Sequence, residues 1–139
     1  MSDYLKFVEV QLKQKPPGAV QLAVATFLFK VMPVDGETHP KELERLKRIL
    51  SDEFGLEEDN AEKLIEYARN EANSAERLNE LASMLKANAG HQELLTLISH
   101  MWEMVFADGR MHETEILFVE RVAELLDIPE EDVAAAMSL

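Results

Sequence analysis

The chain contains no cysteine. A disulfide framework, a thiolate metal site and a cysteine nucleophile are therefore excluded. No apolar run approaches the ~20 residues that a spanning helix needs, so no segment reads as a membrane crossing. Asp3 and Glu9 come early, and no basic stretch is followed by a long apolar one. That start does not fit a secretory signal, and the expected location is cytoplasmic. Alternating β-branched runs of useful length are also missing, which argues against strands. Positive charge is scarce: 14 Lys and Arg face 27 Asp and Glu, for a formal net charge of -13. Nucleic acid is bound through cations set against phosphates, so no nucleic-acid partner is expected. The shortage is uneven. Residues 1–30 carry Lys6, Lys13, Lys15 and Lys30 against Asp3 and Glu9, a balance of +2, which leaves -15 for the remainder. That field fits a basic partner, a cation, or solubility alone.

What the chain does have is helix-forming residues. With 139 residues, 47% of them hydrophobic, it has the size and the apolar content of one domain, residues 1–139. Leu, Ala, Glu, Lys and Met dominate, and apolar residues recur at helical spacing nearly everywhere after residue 4. Helices are expected over about Asp3–Gln14, Ala19–Met32, Pro40–Phe54 and Asp59–Asn70. Asn73-x-x-Glu76 reads as a capping box that opens a fifth, ending near Gly90. Others follow over about His91–Ala107 and Glu113–Leu126. Asp127-x-x-Glu130 with Pro129 opens a last one, ending near Met137. The segments 19–32 and 91–107 are apolar on nearly every face, which fits either a central helix or an interface.

A short pattern occurs twice, 73 residues apart. Val34-Asp35-Gly36-Glu37-Thr38-His39 precedes Glu42, and Ala107-Asp108-Gly109-Arg110-Met111-His112 precedes Glu115. Leu43, Leu46 and Ile49 match Ile116, Val119 and Val122 beyond it. After a one-residue slip, Phe54-Gly55-Leu56 matches Leu126-Asp127-Ile128. The expected fold is all-α: a compact bundle of seven or eight helices with an internal pseudo-two-fold duplication. The repeat halves span about 19–72 and 91–137, each burying its apolar face against the other.

The Gly-to-Glu spacing at each corner equals that of a calcium-binding helix-loop-helix. In that register, however, loop positions 1 and 3 fall on Val31 and Pro33, or on Met104 and Phe106, which cannot ligate a hard cation. The ordinary loop is excluded. A purely structural account is available: His39 and His112 stand where a capping Ser or Thr would, three residues before Glu42 and Glu115. Each Asp-Gly then forms the turn. A second account gathers Asp35, Glu42, Asp108 and Glu115 at one end with His39 and His112 beside them. Clustered carboxylates repel unless a cation or protons intervene. Oxygen ligands would favour calcium, magnesium or manganese, and histidine would tilt the site toward zinc. Any cofactor is then a divalent cation. Ser99 and His100 are adjacent, so they diverge on a helix and make no nucleophile pair; no enzyme is expected.

The two corners resemble the recurring phrase of the tellurite-resistance protein B family, called TerB-like. That phrase runs alanine-aspartate-glycine, a few residues, a small residue, then a glutamate opening an apolar helix. Residues 107–115 carry it, and residues 34–42 carry a first copy with valine before the aspartate. The resemblance implies a compact all-helical fold with internal symmetry, an association with tellurite and other stresses, and binding to membranes, chaperones or other proteins. It also implies a metal-sensing or metal-chelating role for Asp35, Glu42, Asp108 and Glu115. His39 and His112 depart from the usual small cap residue. The expected function is a small acidic non-enzymatic protein-association domain, linked to metal or stress response, whose partners are other proteins or its own copies. The alternative is a divalent-metal binder acting through clustered carboxylates.

Overall fold

A computed structural model describes residues 18–32, 40–107 and 112–137. The helix expected over residues 3–14 lies outside them, as do Asp35, His39 and Asp108. The described residues form seven helices and no strand: α1 (Ala19–Val31), α2 (Pro40–Phe54), α3 (Glu58–Glu71), α4 (Ala75–Asn88), α5 (His91–Val105), α6 (Glu113–Leu125) and α7 (Glu130–Ala136).

Helix α1 is the hub. It packs against α2, α3, α4, α5 and α6, and six consecutive residues from Ala23 to Leu28 are buried. Of the two readings its near all-round apolar sequence allowed, central burial accounts for residues 23–28. Each fully buried large side chain such as Phe27 or Leu28 contributes about 1.5–3 kcal/mol.

Packing around α1 respects the duplication. Helix α1 packs on α3 as α5 packs on α7. The pairs α1–α2 and α2–α3 recur as α5–α6 and α6–α7, and the cross contacts α1–α6 and α2–α5 exchange with each other. Helix α4 stands outside this scheme and joins the halves, touching α1 and α6. Both α1 and α5 begin after an extended glycine, Gly18 and Gly90. The Glu93 carboxylate accepts the Gly90 N–H at 3.0 Å.

The bends after α2 and α6 are the same structure built from different residues. Gly55 has φ 63° and Asp127 has φ 59°. The Leu56 N–H donates to the Ser51 carbonyl at 3.1 Å, and the Ile128 N–H donates to the Ala123 carbonyl at 2.9 Å. That six-to-one closure over a left-handed residue satisfies carbonyls the helix end would otherwise orphan. Asp127 is thus the residue that ends α6, not the cap that opens α7. Pro129 stands at the α7 N-cap, with no side-chain cap bond. Helix α4 is likewise capped one residue later than expected: Ser74 Oγ, not Asn73, accepts the Arg77 N–H at 3.1 Å.

Candidate functional site

The buried stripes of α2 and α6 coincide position for position. Glu42, Leu46, Ile49 and Leu50 are buried on α2; Glu115, Val119, Val122 and Ala123 are buried on α6. Each stripe follows the i, i+4, i+7, i+8 spacing of one helix face. Each also begins with a glutamate in the helix's first turn, where negative charge is favoured. Glu42 is 1% exposed and Glu115 is 3% exposed. A carboxylate withdrawn from water to this degree is uncommon without a specific role in the fold or site.

His112 occupies the N-cap of α6 but makes no side-chain cap hydrogen bond. The expected capping box with histidine as the cap is corrected on this side; the first turn closes instead on the His112 carbonyl, which accepts from Glu115 N at 3.0 Å and Ile116 N at 3.1 Å. Val31 and Met104, which rule out the ordinary calcium loop, are buried at the ends of α1 and α5. An open groove lined by Pro40, Lys41, Glu44, Arg45 and Arg48 also receives Ala107. The residue immediately before Asp108 thus lies beside the first turn of α2. Arg45 reinforces this junction, donating to Glu103 of α5 at 3.0 Å. Among the described residues, no three His, Asp or Glu side chains come together as a metal group. Glu42 and Glu115 each place one buried carboxylate at the start of its helix, and two such groups do not make a cation site by themselves. The other sequence-predicted ligands, Asp35, His39 and Asp108, are outside the described residues.

Two features were not anticipated. The first is a polar chain between α2 and α5: His100 Nε2 lies 3.4 Å from Glu53, His100 Nδ1 lies 3.3 Å from Glu103, and Glu103 reaches Arg45. The second is a groove of about 490 Å³ between α6 and α7. Trp102, Ile116, Ala123, Ile128, Val133 and Met137 give it an apolar lining, and Glu120, Glu124 and Glu130 line it with carboxylates. Trp102 Nε1 donates to the Val133 carbonyl at 3.0 Å, so the groove wall also holds the end of α7. The acidic side of this groove was visible in the sequence as Glu120-x-x-x-Glu124, one helical turn apart, but the apolar lining comes from three helices.

An all-helical bundle whose two halves share packing, bends and buried stripes defines a duplicated helical domain. The sequence model of the family described as "Tellurite resistance protein TerB" matches residues 21–138, and the chain belongs to that family. No curated protein and no solved structure matches the chain.

Proposed function

We propose that this TerB-family protein is a small acidic protein-association domain without enzymatic activity, acting in a tellurite or metal stress response. The observation that carries this reading is the groove between α6 and α7. Apolar surface beside acidic side chains on a strongly charged protein is costly to leave idle, and such patches mark binding sites. Met137 at its edge is 42% exposed, and Leu117 on α6 is 54% exposed. The test compares cross-linked partners of the wild type, of Ile116→Glu and Met137→Glu, and of the remote Tyr67→Ser, each shown to be folded by circular dichroism. Partners lost from both groove variants and kept by Tyr67→Ser support association here. An identical partner set in all four proteins overturns it.

A second reading, a divalent-metal binder, is favoured by the burial of Glu42 and Glu115 at matching positions. Carboxylates at both corners, with Asp35, Asp108, His39 and His112 nearby in sequence, would offer oxygen ligands suited to calcium, magnesium or manganese, or imidazole suited to zinc. Calorimetry with each of these four ions should give a saturable heat that Asp108→Ala and Glu115→Gln abolish. Absence of saturable heat with all four removes this reading.

A further inference from the structure

The duplication supplies an internal control for the groove. In the first half, Lys47 of α2 reaches across to α3, with Nζ 3.3 Å from Glu58 Oε1 and 3.1 Å from Glu62 Oε2. The register that pairs Glu42 with Glu115 and Leu46 with Val119 pairs Lys47 with Glu120. The register that pairs the Gly55 bend with Asp127 pairs Glu58 with Glu130. The second half therefore keeps one of the two acceptors, has Ala134 in place of the other, Glu62, and replaces the cation with another carboxylate; Glu120, Glu130 and Ala134 all line the groove. Two further exchanges open it. Fully buried Leu50 becomes Ala123, which removes bulk. Ile65, 4% exposed, becomes Met137, 42% exposed.

Taking the groove as the association surface, we propose that it receives a cationic amphipathic helix from another protein, with a lysine or arginine of that helix seated between Glu120 and Glu130 and supplying the cation that Lys47 supplies to Glu58 in the first half. Two helices side by side present a trough into which the ridge of a third fits, and an apolar stripe flanked by cations is the complement of this lining. A second copy of the chain is the poorer occupant, because two molecules of net charge -13 repel each other, whereas a basic segment is drawn in.

The chain's one tryptophan, Trp102, lines the groove and reports on it. The probe is an acetylated, amidated peptide of roughly 18 residues, long enough to hold a helix, with a leucine stripe flanked by lysines. Its twin carries glutamate at every lysine position. The lysine peptide should shift Trp102 fluorescence saturably and lose affinity as salt rises; the glutamate twin should bind at least about tenfold more weakly. Glu120→Lys, which restores the first-half cation, should weaken the lysine peptide at least about tenfold. Glu76→Lys, the same charge change on α4, which does not line the groove, should stay within about threefold. Equal binding of the two peptides, equal losses in the two variants, or a salt-stable dimer of the protein that excludes the peptide each overturn the proposal. If the lysine peptide fails while groove-dependent partners persist in the cross-linking comparison, the cationic occupant is wrong and the association reading survives. Failure of both experiments ends both.

Discussion

Replacing Gly55 by alanine tests the bend that both halves share. Gly55 holds φ 63°, and a Cβ built there meets nothing within 4 Å. The cost is therefore conformational and contains no clash. A left-handed L-residue costs about 1–2 kcal/mol; alanine recovers about 0.4–1 kcal/mol by restricting the unfolded chain. The expected net loss is about 1 kcal/mol, or a fall in Tm of roughly 3–6 °C for a domain of this size. Gly55→Asn should lose about half as much, since asparagine tolerates this region. The converse change, Asp127→Gly, should be nearly neutral. Relief of the aspartate's backbone strain is offset by a more flexible unfolded chain and by loss of the exposed Lys86–Asp127 pair, 3.1 Å long and worth little at the surface. Thermal melts followed by circular dichroism at one pH and salt concentration measure all three. Gly55→Ala melting within a degree of the wild type, or Asp127→Gly destabilising as much as Gly55→Ala, would refute the claim that these positions are equivalent left-handed bends.

Trp102→Phe leaves the Val133 carbonyl without its indole donor, and a stranded buried acceptor costs about 1–3 kcal/mol; hydrogen exchange should accelerate in α7 first, and uniform exchange across α6 and α7 would contradict the link. Leu46→Ala, at a fully buried position facing the hub, should cost about 2–5 kcal/mol in urea unfolding, against less than 0.5 kcal/mol for Leu117→Ala at an exposed one. The Glu62 and then the Glu58 carboxylate raise the pKa of Lys47 above its usual 10.5. The stability this ammonium supplies is complete below that value and is lost as pH rises through the higher folded value. Lys47→Met should therefore lower Tm slightly at neutral pH and flatten the alkaline decline above about pH 10.5, as melts across that range would show. Unchanged alkaline slopes would mean the bridge is not held in solution.

The all-helical class could be read because apolar spacing on α2, α3 and α6 is regular enough to exclude strands. The duplication could be read as well, down to the slip that aligns Gly55 with Asp127. What could not be read was how local signals resolve in three dimensions. Asn73 and Ser74 both offer a capping oxygen, and the path from α3 into α4 selects Ser74. Asp127-x-x-Glu130 fits a capping box by spacing, yet the closure of Ile128 N–H on Ala123 needs a left-handed residue at 127, so that role wins. An all-round apolar helix is consistent with burial or with an interface; only its neighbours decide for residues 23–28 of α1. The buried state of Glu42 and Glu115 was hidden for a related reason. A glutamate in the first turn of a helix is ordinarily a solvated cap, and its place at the head of a buried stripe depends on how α2 and α6 pack.

The two halves have diverged along the side where they no longer need each other. Their shared positions are those that face the hub or close the bends: the buried stripes, the left-handed residues and the extended residues before α3 and α7, Glu57 and Pro129. Their differences collect where the second helix of each half meets the third. In the first half, Lys47 and Leu50 draw α2 and α3 together. In the second, a carboxylate and an alanine hold the same places, and the last turn of α7 depends on the Trp102 indole for one of its carbonyl bonds. A surface kept only for stability would gain from a lysine at 120, since the acceptor at 130 is already present. Optimised charges of this kind are among the easiest gains in stability. Under the proposed association function, the acidic, open arrangement is a stability cost that Glu120→Lys should recover while weakening binding at the groove.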